Sequence, residues 1–250
     1  MAKIDKSQYS KSQWKLIKEQ RRKEKSEERL NKDFHKKIDF IQSPTKNIGL
    51  EKKNTAFVLG NGTSRKPIDP EDLRGYGNIY GCNALYRKFQ PDYLVAVDTK
   101  MVLEINKSGY QKNHEVWTNP NKAYHRMQGF NYFNPSKGWS SGPTALWLAS
   151  QHGYETIYIL GFDYQGLEEG KRFNNVYADT PNYKKSLDGA TFFGNWLRQT
   201  KSVIQQHQKI HYVRVIAPDN YQPDELNKFD NFSTITVENF QRIFGISAIC

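Results

Sequence analysis

Short apolar runs that end in small polar residues, separated by helix-like stretches, constrain this chain more than any other feature. Thr55–Leu59 (TAFVL) runs into Gly60-Asn61-Gly62-Thr63-Ser64, Ile79–Cys82 into Asn83, Tyr93–Val97 into Asp98, and Thr156–Leu160 into Gly161-Phe162-Asp163. His211–Ile216 is a further run, and Val116–Thr118 and Tyr132–Phe133 are shorter candidates. Pro143–Gln151 reads as a helix stopped by Gly153, Leu187–Gln206 reads mostly as a helix, and a helix near Val237–Phe244 closes the chain. Continuous apolar strands interleaved with helices predict a parallel sheet covered on both faces. Ligands of such sheets bind beyond the carboxyl ends of the strands, where the polar residues fall here.

The charge divides the chain in two. Residues 1–53 hold sixteen Lys and Arg against eight Asp and Glu, a net +8, which leaves +3 of the total +11 for residues 54–250. The basicity that would suggest a nucleic-acid binder therefore belongs to an arm, and the expected organisation is a basic helical arm and linker, 1–53, before one domain, 54–250. Residues 11–38 lack Gly and Pro and are rich in helix formers, with Leu30, Phe34 and Ile38 on one face; Ser43-Pro44-Thr45 ends the helix. The first expectation is a charged helix whose second half docks on the domain; the alternatives are a tether to nucleic acid, an anionic membrane or an acidic protein, and self-association. Two cysteines, Cys82 and Cys250, make neither a disulfide framework nor a four-ligand zinc site. No apolar run approaches the ~20 residues of a membrane helix, so the expected location is the cytoplasm. The Asn-, Lys- and Tyr-rich composition suits an AT-rich bacterial or phage genome, and the host cytoplasm in the latter case.

Three local signals point to a binding site. Glycine in the Gly60–Ser64 turn admits backbone N–H groups to an anion, although the turn matches neither the Walker loop nor the dinucleotide fingerprint. Ser140-Ser141-Gly142-Pro143 before an apolar helix is a helix start at which Ser141 is the expected cap; its dipole suits a phosphate. Residues 164–186 follow Asp163 with no regular periodicity and are rich in tyrosine (Tyr164, Tyr177, Tyr183), with asparagine and lysine, as expected of a lid over a site. The histidines assemble no metal site, and Cys82 reads as a small core residue.

The ordered set Gly60-Asn61-Gly62-Thr63-Ser64, Ile68-Asp69, Cys82-Asn83-Ala84-Leu85-Tyr86, Ser140-Ser141-Gly142, Gly153-Tyr154-Glu155-Thr156-Ile157-Tyr158 and Gly161-Phe162-Asp163 resembles the bacterial sialyltransferases of glycosyltransferase family 42 and the related MptE-type pterin diphosphokinases. The resemblance covers roughly residues 55–165. It implies an α/β fold, a single Rossmann-like domain with a mostly parallel sheet, and a nucleotide pocket. Asn61, Ser64 and Asn83 would hold the nucleotide, Asp98 the ribose, and Ser140, Ser141 and Gly142 the phosphate or base, with Gly60, Gly62, Thr63, Gly161, Tyr164 and Tyr177 around it. The sialyltransferases need no metal, whereas the diphosphokinases use ATP with magnesium, for which Asp98 and Asp163 would be the ligands. The sialyltransferases' lid histidine has no counterpart, since no histidine lies between His152 and His207. The candidate catalytic groups are therefore Asp163, Asp179 and Tyr183, with Asp188 a further carboxylate. The expectation is a metal-independent glycosyltransferase-like enzyme that uses a nucleotide-sugar, such as a CMP-linked sugar, and a glycan or small-molecule acceptor. The alternatives are an ATP- and magnesium-dependent diphosphokinase on the same fold and a non-catalytic protein acting through its basic arm.

Overall fold

The computed structural model describes residues 54–247 and the isolated position Lys18. The expected helix of 11–38 and the linker after it lie outside the described residues. Eight strands form one sheet: β1 (Thr55–Leu59), β2 (Asn78–Cys82), β3 (Tyr93–Val95), β4 (Val116–Thr118), β5 (Phe130–Tyr132), β6 (Thr156–Leu160), β7 (His211–Ile216) and β8 (Phe232–Thr236). Every neighbouring pair is parallel, in the spatial order β5-β4-β3-β2-β1-β6-β7-β8. The order reverses between β1 and β6, so this Rossmann-like sheet has its switch point where the Gly60 and Gly161 turns meet.

Strand residues alternate between two cores. Ala56, Val58, Tyr80, Ile157 and Ile159 face the side covered by α2 (Ser141–Gln151) and α3 (Gly194–Gln206). Phe57, Leu59, Ile79 and Leu94 face the side covered by α1 (Thr99–Ser108) and α4 (Val237–Phe244). Burial on both faces explains why these strands read as unbroken apolar runs, and each fully buried large side chain contributes about 1.5–3 kcal/mol. α2 is itself buried nearly all round because it packs over β1, β2 and β3 and against α3.

Several sequence expectations shift. The helix expected from Leu187 starts only at Gly194; Leu187 and Phe192 before it are exposed, so no packing holds that stretch helical. The strand expected at Tyr132–Phe133 is Phe130–Tyr132, and the third run pairs only over Tyr93–Val95. Neither α1 nor β8 was expected. Among the described residues no helix is long and apolar enough to cross a membrane.

Candidate functional site

The registers Leu59↔Leu160, Leu59↔Gly81 and Cys82↔Val95 bring the four polar strand ends to one edge of the sheet. A cleft of about 450 Å³ opens there, lined by Gly60, Asn61, Gly62, Asn83, Asp98, Ser140, Ser141, Gly142, Gly161, Asp163, Tyr164 and Tyr183. The sequence-predicted residues that do not line it are Thr63, Ser64, Tyr177, Asp179 and Asp188.

The glycine turn is filled by the protein's own carboxylate. Asp163 is buried and accepts hydrogen bonds from the Ser64 hydroxyl, from Ser64 N (3.2 Å) and from Asn174 Nδ2 (3.0 Å). Asn174 Oδ1 accepts from Thr63 N (2.9 Å) and Thr63 Oγ1 (2.8 Å). A Cβ on Gly62 would lie 2.4 Å from Asp163 Cγ, and one on Gly60 would lie 2.5 Å from the Gly161 carbonyl oxygen. Glycine is therefore required by the close passage of the β1 and β6 turns. This corrects the expectation that the turn leaves its N–H groups to an incoming anion: those of Thr63 and Ser64 are taken, and the Ser64 hydroxyl holds Asp163. Both oxygens of Asp163 accept hydrogen bonds within this network, which ties the carboxylate to the turn.

Ser141 is not the helix cap. Ser140 occupies that position without a side-chain cap bond. Ser141 Oγ donates to Asn83 Oδ1 (2.8 Å) and accepts from Val97 N (3.1 Å), so one buried hydroxyl ties the ends of β2 and β3 to the start of α2. Asn83 has a positive φ of 54°, which asparagine tolerates better than most residues. Pro143 lies in the first turn, as expected. The first N–H groups of α2, which no helix can satisfy internally, open on the cleft beside Ser140 and Gly142.

The stretch after Asp163 is stitched down as a cover. Val176 N donates to Asn61 O (2.8 Å), and the Tyr183 hydroxyl accepts from Asn61 Nδ2 (3.3 Å) and Ala84 N (3.3 Å). Arg87 donates to Thr180 Oγ1 (2.9 Å) and to Pro181 O (2.9 Å), and pairs with Glu104 (2.6 Å), which also accepts from Asn182 Nδ2 (2.6 Å). Burial pushes the Tyr183 phenol well above its ordinary range, so it stays protonated while it accepts the bonds from Asn61 and Ala84. Tyr177 is buried behind it, rings 5.5 Å apart, with its hydroxyl held by Arg65 Nη2 (3.1 Å). Tyr164 lines the cleft with its ring only: its hydroxyl donates to Thr200 Oγ1 (2.9 Å) and burial pushes its pKa up to about 12. Asp179 and Asp188 are exposed and hold local turns through Ser186 N and Lys185 N. Neither reaches the cleft lining.

Asp98 differs from all of these. It stands at the start of α1 without making a side-chain cap bond, and its carboxylate has no hydrogen-bond partner among the described residues. The residue is exposed at the cleft wall, yet the protein around it desolvates the carboxyl enough to raise its pKa. It is the free carboxylate of the cleft. Comparison with protein-family models, with curated proteins and with solved structures finds no match.

Sequence reasoning missed two residues that shape the site. Arg214, 1% exposed on β7, donates to Asp163 O (3.2 Å) and Tyr221 O (2.9 Å), with its guanidinium 5.0 Å from the Tyr164 ring centroid and its Nε unpartnered. Burial lowers its pKa. A cation in the middle of the apolar run HYVRVI was the available signal, since arginine is almost never fully buried without a specific role. Asn174, which bridges the cover to the glycine turn, carries no such mark in the sequence.

Among the described residues no group of three His, Cys, Asp or Glu side chains could hold a metal ion. A magnesium site on Asp98 and Asp163 would have to take Asp163 from Ser64 and Asn174, so the donor set does not fit that pairing.

Proposed function

We propose that the cleft binds a nucleotide-sugar and transfers its sugar to an acceptor hydroxyl without a metal. The observation that carries this reading is the hydrogen-bonding capacity left over once the internal bonds are counted. Tyr183 O–H, the Asn83 amide N–H groups, the Ser140 hydroxyl and the α2 N-terminus remain as donors on the cleft wall, and Asp98 remains as an acceptor. Donors gathered at a helix N-terminus suit the phosphates of a nucleotide and stabilise the negative charge that grows as the nucleotide leaves. A free carboxylate with a raised pKa suits removal of the proton from an attacking hydroxyl. Asp98 thus takes the role expected of Asp163, Asp179 or Tyr183.

In the proposed reaction the acceptor oxygen forms a bond to the sugar's anomeric carbon as the bond to the nucleotide phosphate breaks. The acceptor proton passes to Asp98, and the electron pair of the broken bond stays on the phosphate oxygen. The test is thermal-shift titration of the full chain with CMP, UDP, GDP and ADP, followed by hydrolysis assays with the matching nucleotide-sugars in EDTA. One nucleotide should raise Tm, and Asp98→Asn should keep that shift while lowering turnover by about 10²-fold or more. A chain that none of the four nucleotides stabilises refutes the reading, and activity that requires magnesium favours the diphosphokinase alternative.

A further inference from the structure

The rim of the cleft carries an aromatic surface that nucleotide binding leaves unused. Of the seven large hydrophobic side chains exposed among the described residues, four (Leu167, Leu187, Phe192 and Tyr221) lie in the segment after Asp163 or in the loop bonded to it. Phe192 is 74% exposed and its ring lies against the Gly194 backbone, where a Cβ would meet Phe192 Cζ at 2.4 Å. Phe193, partly buried against the core, stacks beside it, centroids 6.2 Å apart, and the Tyr221 ring lies 6.0 Å from Phe193 at a 56° tilt. The surface is continuous with the cleft: Thr191 lines the cleft, and Gln165, which also lines it, accepts from Tyr221 N and donates to Asp219 O (3.2 Å).

From this arrangement we propose that Phe192, Phe193 and Tyr221 form a stacking platform for a pyranose ring, the acceptor subsite of the cleft. The proposal rests on the transferase reading for the word acceptor, but sugar binding itself is separately observable. A pyranose presents one C–H face, weakly positive, that matches the negative face of an aromatic ring, and its hydroxyls turn outward to polar neighbours. Exposed aromatic surface rimmed by polar groups is the setting in which such contacts form. The loop that carries Tyr221, residues 217–225, holds Asp219, Asp224 and Glu225, the last 4.0 Å from Lys201, so the loop itself offers no uncompensated cation to a nucleic acid or an anionic membrane.

The experiment is saturation-transfer NMR on the full chain with millimolar lactose, maltotriose, cellotriose and N,N′-diacetylchitobiose, irradiating aromatic protons. At least one saccharide should receive saturation at its ring C–H positions. Phe192→Ala and Tyr221→Ala should each reduce it roughly fivefold, while Phe192→Trp retains it. Both truncated side chains are exposed, and circular dichroism with the nucleotide thermal shift checks that each variant is folded. No transfer to any of the four sugars, or undiminished transfer in both alanine variants, overturns the proposal. A native chain that binds sugar at this platform but shows no nucleotide shift would refute the transferase reading and leave the platform standing.

Discussion

Replacing Asp163 tests the claim that its carboxylate is the internal anion of the glycine turn. In Asp163→Ala, the N–H and O–H of buried Ser64 lose their acceptor, and Asn174 Nδ2 loses its own. Asn174 borders the cleft and regains a partner from water, whereas each orphaned buried donor costs about 1–3 kcal/mol. The expected loss is about 4 kcal/mol, a large part of the roughly 5–15 kcal/mol that holds a domain together. Asp163→Asn keeps the shape. Its carbonyl oxygen still accepts from Ser64 N and Asn174, and the Ser64 hydroxyl rotates to accept from the new amide. Only the charge is lost, so about 1–2 kcal/mol is expected. Urea unfolding followed by tryptophan fluorescence reads the difference: with m near 2 kcal/mol/M, the alanine variant should unfold about 2 M earlier than the native chain and the asparagine variant less than 1 M earlier. An alanine variant within 1 kcal/mol of native, or an asparagine variant as damaged as the alanine one, refutes the reasoning.

Four further outcomes are expected. Asp98 has a raised folded-state pKa, so the folded chain favours its protonated form; the stability it contributes is full below the unfolded carboxylate range near 4 and is lost as pH rises through the folded pKa. Asp98→Asn should therefore be more stable than the native chain at neutral pH, with the gap closing toward pH 3; a gap that does not depend on pH counts against the assignment. For Glu104, burial alone would raise the pKa, but hydrogen bonds from Arg87, Tyr86 and Asn182 outweigh it and hold the carboxyl low, so its support of the cover is present above the unfolded value and lost as pH falls through the folded one. Hydrogen-exchange protection factors at residues 179–184, corrected for the pH dependence of intrinsic exchange, should fall in Glu104→Gln at neutral pH and in the native chain on acidification. Gly62→Ala should lower Tm by many degrees because its Cβ meets Asp163 at 2.4 Å, whereas Gly142→Ala, 3.3 Å from Phe162 Cζ at a helix start, should shift Tm by only a few. Cys82 is buried with its thiol pushed up to about 12, so in a Cys250→Ser chain a thiol reagent should label it only on unfolding; rapid labelling of the folded chain would contradict that burial.

The fold was legible where burial is two-sided. Thr55–Leu59 and Thr156–Leu160 are unbroken apolar runs, His211–Ile216 is one interrupted by Arg214, and all three form strands with those bounds. Phe232–Thr236 escaped because it is an edge strand with only Phe232 fully buried, and its polar residues carry no such run. α1 escaped because Lys100, Glu104 and Lys107 break up its apolar residues, of which Met101, Val102 and Ile105 are buried. At the site, the sequence located the four strand ends but not how they are used. A serine before a helix reads as its cap, yet Ser141 spends its hydroxyl on Asn83 and Val97, contacts made between elements far apart in the chain. Asp163 and Asp98 look alike in sequence, each just past a strand. Ser64 and Asn174 engage one and nothing engages the other, and that difference exists only once the turns have met.

The internal anion at Asp163 has a kinetic consequence. A turn held from within is ordered before any ligand arrives, so the entropy of arranging residues 60–64 is lost once, during folding, and not at each encounter. Residues 174–186 are fastened through Tyr183, through Arg87 and through Glu104, and a ligand's residence time would be governed by how often those fastenings open together.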